Sequence, residues 1–304
     1  MRKILALVLI GVFACAACVA QAEPVKLAYK FRAGEIDKYK LRMRMAFDVA
    51  GLARLTGQQG PMCMDFSIIV RQKTLGIYPD GSAKVLVSCG EPKINMPGMP
   101  AMPKSKQPVT LPELRMVLAP DGSLRRIEGL EKALGFKGAG NVNFGAVDFS
   151  QVMNLMGQQA VFPSEPLEVG SSWENTIPMP FSGAALKVRS TLISDNMAVG
   201  KNRAACIQQN FDGSLDMGQV FKQMASMVPM KGQENEMLAG ISGGAEMFGN
   251  MNYYFSPTLG KILKGSGEMA MNISISMPQK VTEMGGPPRI DMTANITYDL
   301  MKIQ

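Results

Sequence analysis

The chain has no histidine in 304 residues. That absence removes Ser-His-Asp and Cys-His nucleophile arrangements, imidazole zinc sites and the commonest general acid–base side chain. Tryptophan occurs once, as Trp173. One ring makes no sugar-stacking platform, and its place just after Gly170 reads as a core anchor at a strand start. Charge is sparse at 19%, against 46% hydrophobic residues, the balance of a globular chain and not of a disordered one. The formal net charge of +7 is spread along the sequence, so no nucleic-acid partner is expected. No glycine-rich phosphate loop followed by Lys-Ser/Thr and no S-x-x-K pair is present. Gly240-Ile241-Ser242-Gly243-Gly244 matches G-x-S-x-G literally. It lacks a leading strand, a following helix and a base for Ser242, and reads as a flexible loop. Acidic residues are scattered. No catalytic residue and no cofactor is expected.

The N-terminus reads as a secretory leader over residues 1–22. Arg2 and Lys3 are followed by an apolar run from Ile4, and Ala20-Gln21-Ala22 supplies the small-x-small cleavage pattern. The run to Ala20 is slightly short for a membrane span of roughly 20 residues. Nothing later is long and apolar enough, so no transmembrane span is expected after cleavage. The implied location is periplasmic or extracellular. Lipoprotein anchoring through Cys15 or Cys18 is the alternative, but the tripeptides before them match a lipobox poorly. Cys63, Cys89 and Cys206 remain, an odd number for an oxidising compartment. They read as small buried hydrophobes. A tight hairpin turning at Pro79–Ser82 would set Cys89 opposite Gln72, away from Cys63.

Residues 23–304 read as one β-rich domain. From Tyr39 to Val49 apolar side chains alternate with Lys40, Arg42, Arg44 and Asp48. The same alternation runs over 268–277 and 292–300. Period two of this length means strands with one buried and one wet face, typical of antiparallel sheets. Asp-Gly-Ser recurs at 80–82, 121–123 and 212–214, predicting hairpins over 66–89, 114–127 and 203–217. Helix is expected over 148–161 and over 217–230, with a short turn near 127–136. The segments 91–112 and 231–246 are expected as exposed loops. An internal duplication is also expected, with units 23–135 and 165–304 joined by the helix near 148–161. Phe31-Arg32-Ala33-Gly34 opens one and Leu167-Glu168-Val169-Gly170 the other. Leu118–Leu124 and Phe255–Ile262 supply matching Pro-to-Gly turns.

The Phe-x-x-Gly opening, the Asp-Gly hairpins and the Gly-x-x-Trp restart resemble an uncharacterised family of secreted bacterial β-rich proteins, a domain of unknown function. More distantly they resemble periplasmic lipoprotein carriers, in which helices plug a half-open barrel. The resemblance implies a strongly curved antiparallel sheet or half-open barrel with two or three short helices, and carries no functional residue with it.

Methionine is abundant, at 26 residues. Met96, Met99 and Met102 sit in tandem x-Met-Pro units, and soft thioethers suit copper(I). Polyproline II would space them about 9 Å apart, too far for one ion. Phe149, Val152, Met153 and Met156 form one apolar helical stripe. Val220, Phe221, Met224 and Met227 form part of another. These eight are the expected lining of an apolar or lipid-like ligand, since unbranched side chains adapt to varied apolar shapes. The function expected is a non-catalytic envelope protein that binds such a ligand in a concave sheet face. A structural or protein-interaction module of the envelope is the first alternative, and a methionine-based copper protein the second.

Overall fold

The computed structural model describes residues 23–49, 62–96, 113–128, 160–178, 185–227, 240–283 and 285–303. The leader, most of the helix expected over 148–161, and Met99 and Met102 lie outside them.

Twelve strands among the described residues form one antiparallel sheet. They are β1 (Ile36–Val49), β2 (Met62–Ile77), β3 (Ala83–Cys89), β4 (Lys93–Asn95), β5 (Leu114–Leu118) and β6 (Leu124–Glu128). After a crossover come β7 (Ser172–Pro178), β8 (Ala185–Val199), β9 (Asn202–Asp216), β10 (Ser242–Ser256), β11 (Lys261–Ser276) and β12 (Arg289–Ile303). The order across the sheet is β6-β5-β3-β2-β1-β12-β11-β10-β9-β8-β7, with β4 beside β2. Among the described residues the sheet does not close. It is the mainly β antiparallel sheet that the alternation predicts, and its open form is consistent with the curved sheet or half-open barrel that the resemblance implies. Two short helices sit at strand ends: α1 (Met217–Met227) follows β9 and α2 (Gln279–Glu283) precedes β12. Asp216 caps α1 by accepting the Gln219 amide at 3.1 Å.

The two halves are laid out alike. Each enters its first strand after a glycine, Gly34 or Gly170, and runs as a meander in the same direction across the sheet. The first strand of one half, β1, pairs with the last strand of the other, β12, through Lys38↔Ile303 to Val49↔Met292.

Alternation sets the register. On β1 the odd residues and on β12 the even residues face one side, so Leu41, Met43 and Met45 lie opposite Leu300, Tyr298 and Ile296. Lys40, Arg42 and Arg44 face the other side. A one-residue slip would turn the apolar set to solvent, so the pattern fixes the pairing.

The hairpins at 79–82 and 121–123 form as expected, each with its aspartate accepting from the serine two residues on, at 3.0 Å for Ser82 N and 2.8 Å for Ser123 N. Three expectations are corrected. Asp212-Gly213-Ser214 is no turn: β9 runs through it, paired to β8 and β10. A Cβ at Gly213 would meet the end of the Leu186 side chain at 3.0 Å, a contact that a small shift of that side chain relieves. Residues 242–246 and 93–95 are strand and not loop, since β10 begins at Ser242 and β4 occupies 93–95. Cys89 lies opposite Val70, not Gln72, because the turn closes between Tyr78 and Ser82, one step from the expected register, and a bulge between Thr74 and Gly76 adds the second step. No disulfide joins Cys63, Cys89 and Cys206.

One end of the sheet is plugged by chain outside the strands. Residues 23–33 run across it. Val25 bridges Leu167, Tyr29 N donates to Pro120 O at 2.7 Å and Lys30 N to Gly260 O at 3.2 Å. Phe162 N donates to Asp121 O at 2.8 Å. These bonds tie the β5–β6 turn, the β10–β11 turn and the approach to β7 to one strap. Beneath it Tyr29 stacks on Phe162 at 5.4 Å, and Phe255 meets both edge-on at 5.2 and 4.7 Å.

Candidate functional site

The apolar face can be read rung by rung. One rung runs Phe66, Met43, Tyr298, Gly267, Met251, Gln209, Ser190, Trp173 from β2 to β7. The next toward the unplugged end runs Met64, Met45, Ile296, Met269, Gly249, Phe211, Val188, Asn175. The third runs Met62, Phe47, Ala294, Met271, Met247, Gly213, Leu186, Ile177. Hydrophobic side chains thus recur along these rungs from β2 to β7, interrupted by glycines and by Gln209, Ser190 and Asn175.

Glycines sit where the curl would crowd them. A Cβ at Gly249 would lie 2.5 Å from Phe211 Cζ, and one at Gly265 would lie 3.1 Å from the Tyr253 ring. Phe211 and Tyr253 thus lie over glycines of the neighbouring strands, where a larger residue would not fit without a shift.

Among the described residues burial falls along β1, β2 and β11, whereas on β8 and β10 Leu186, Val188, Ala245 and Met247 stay buried to the far end. Near the plug Leu192, Ile207 and Phe255 have no exposed surface. Toward the other end Met43, Met45, Met64, Met269, Met271, Ile273 and Met292 are half-buried. A methionine-rich stretch of four adjacent strands is therefore the less covered part of the face. These residues are legible as strand alternation, but alternation carries no sign of which end stays uncovered.

Polar groups on this face are few. Gln209 Nε2 donates to Ser190 Oγ at 3.0 Å within the buried sheet. Trp173 Nε1 and Asn175 Nδ2 donate to Val161 O at 2.8 and 3.2 Å, so Trp173 anchors the start of β7 as expected. Near the plug Lys261 Nζ meets Glu35 at 2.6 Å and Asp37 at 2.5 Å, and Lys302 meets Asp37 at 2.7 Å. Burial, with Asp37 and Glu35 adding, pushes the Tyr39 phenol far above the usual tyrosine range. Burial does the same at Tyr29, Tyr253 and Tyr298.

Of the expected lining, Val220 and Phe221 are half-buried on α1, which packs against β10 and β9. Met224 and Met227 fall within α1, whose side chains from residue 223 onward are not described. Phe149, Val152, Met153 and Met156 lie outside the described residues. Met96 is half-buried just past β4, apart from any described partner methionine of its tandem. No described helix is long and apolar enough to cross a membrane.

Two grooves open on the polar side of the sheet. One, of about 490 Å³, is lined by Arg42, Arg44, Asp65, Ser67, Lys93 and Asn95 with neighbours on β12. The other, of about 530 Å³, lies among Asp48, Glu246, Asn272, Arg289 and Asp291.

The chain matches no protein-family model and none of the curated protein sequences. Among solved structures it is similar to one titled "Lipid-protein interactions in lipovitellin", with a TM-score of 0.42 and 10% identity over 90% of this chain and 26% of that one. The chain thus spans about a quarter of that protein's length.

Proposed function

We propose that this is an exported, non-catalytic envelope protein that holds an apolar or lipid-like ligand against the concave face of its sheet. The observation that carries the reading is the burial gradient. One end of the apolar face is sealed by Tyr29, Phe162 and Phe255, while the methionines of β1, β2, β11 and β12 stay half-covered. Sealing one end and leaving the other accessible suits a site that loads from the open end. Methionine suits a ligand of variable shape, because its thioether stem is unbranched and polarisable. The helix α1 is read as further lining at that end, and the expected stripe of Phe149, Val152, Met153 and Met156 stays a proposed part of the lining. The leader at 1–22 supports export, and the like layout of the two halves supports descent from a duplicated unit.

A second reading, a protein-interaction module, draws on the sheet edges. Among the described residues β6 and β7 each pair on one side only, and such an edge can accept a partner's strand.

Native mass spectrometry of the protein purified from an envelope fraction without detergent separates the two. A stoichiometric adduct of lipid-like mass supports the carrier. A bare mass that persists after incubation with fatty acids and phospholipids counts against it and favours the interaction module.

A further inference from the structure

The outer face of the sheet departs from an ordinary solvated surface on one half. Around the β1–β12 seam its rungs alternate cations with exposed apolar side chains. Arg71 and Lys38 share a rung that ends on Ile303, and the next runs Ile69, Lys40, Met301, Lys264. Ile69 is 41% exposed and Met301 55%, although both lie mid-sheet and not at a loop. Arg42 and Lys93 then line the groove of about 490 Å³ beside them. The acids of this region are fewer than its cations: Asp65 holds Arg44 at 2.7 Å, Asp299 lies opposite Arg42 in the register, and Glu268 of β11 accepts from Asn250 Nδ2 at 3.3 Å.

The far half of the same face is laid out differently. There Arg189 lies opposite Glu174 and Lys187 opposite Asp212, so cation faces anion across the strands. Glu246 of β10 adds further negative charge. The cation excess is confined to the N-terminal half and the seam.

We propose that the outer face of β1, β2 and β12 docks on an anionic lipid bilayer. Cations there attract a negatively charged membrane surface within about a Debye length, roughly 10 Å at 0.1 M salt. Exposed Ile69 and Met301 between them give apolar atoms to the headgroup layer, which a soluble polyanion would have no use for. An antiparallel sheet spreads these groups over a broad surface, suited to a bilayer and not to a single small anion. The docking face is opposite the concave face, so a docked protein keeps its ligand face away from the headgroups. The proposal does not require a ligand in that face.

Co-sedimentation of the purified protein with vesicles tests it. Vesicles of phosphatidylcholine with one quarter phosphatidylglycerol are compared with pure phosphatidylcholine. The expected result is binding to the anionic vesicles alone, lost as salt rises. Lys38→Gln, Arg42→Gln and Arg71→Gln together weaken it by on the order of 100-fold, at about 5-fold per cation. Lys187→Gln, Arg189→Gln and Lys201→Gln together remove equal charge from the far half and leave it within a few-fold. Ile69→Ser with Met301→Ser weakens binding at unchanged charge. Equal losses for the two charge triplets, binding to neutral vesicles alone, or binding to single-stranded DNA without binding to vesicles overturns the proposal. All these residues are at the surface, so circular dichroism should show the fold retained throughout.

Discussion

Lys261 Nζ of β11 lies 2.5 Å from Asp37 of β1, across the intervening strand β12. Its side chain is 10% exposed and that of Asp37 13%. The pair spans the seam where the first and last strands of the chain meet. Lys302 of β12 completes the bridge on Asp37. Three strands from opposite ends of the sequence are thereby pinned beside the plug.

Without Asp37 the buried Lys261 ammonium keeps Glu35 alone and Lys302 loses its acid, so two cations share less compensation away from water. Asp37→Asn is expected to destabilise the protein by about 3 kcal/mol. Lys261→Met made together with it should cost less than the two single changes summed, because the double variant no longer buries an unpaired charge. Urea titration of the four proteins reads the coupling, and strictly additive losses would show that the contact does not hold the seam.

Four of the six tyrosines, namely Tyr29, Tyr39, Tyr253 and Tyr298, are held protonated by burial. Unfolded, each loses its proton near pH 10. Above that pH the folded state binds more protons than the unfolded state, so stability falls as pH rises. Their contribution is complete below about pH 10. Tyrosinate absorbance from these four should appear together with loss of the β circular dichroism signal. Absorbance from all six rising while the sheet signal stays intact would contradict their placement.

Gly122 turns the β5–β6 hairpin at φ +88°, and a Cβ there would lie 2.5 Å from Ala160 O and 2.6 Å from the Tyr29 ring. Both the left-handed backbone and the close strap demand glycine. Gly122→Ala is expected to cost about 3 kcal/mol. A melting temperature within a degree of the parent would mean that the strap does not seat on this turn.

Much of the sheet is legible in the amino-acid sequence. Tyr39 to Val49 alternate cleanly, and β1 has its apolar residues on the face that alternation assigns. Asp80-Gly81-Ser82 and Asp121-Gly122-Ser123 mark real turns, whereas Asp212-Gly213-Ser214 does not. The difference is tertiary: residues 212–214 pair with Phe248, Met247 and Glu246 of β10, which local turn chemistry cannot signal. Cys89 is two partners from the expected one because the turn closes as Tyr78 to Ser82, one step wider, and the bulge at Thr74–Gly76 adds one more. The plug is not legible at all. Tyr29, Phe31 and Phe162 lie in irregular segments, and only the closing of the strap over both hairpin turns brings their rings together. Without the plug, nothing in the strand pattern tells which end of the apolar face is open.

If the open end is the binding end, polarity introduced there should lower ligand affinity more than stability. Met271→Gln and Met43→Gln are expected to weaken binding of a fluorescent fatty acid by about 10-fold each, since the amide must be desolvated against apolar ligand. Leu192→Ala, beneath the plug, should instead destabilise the fold by about 3 kcal/mol. Equal affinity in parent and methionine variants would place the ligand elsewhere.

The most direct measurement is photo-crosslinking with a diazirine-bearing fatty acid, kept below its aggregation concentration, followed by mapping of the labelled residues. The account predicts labels on inward residues of the open half, such as Met43, Met64, Met271 and Met292. Labels confined to the polar outer face, or none at saturating probe, would contradict a ligand in the concave face.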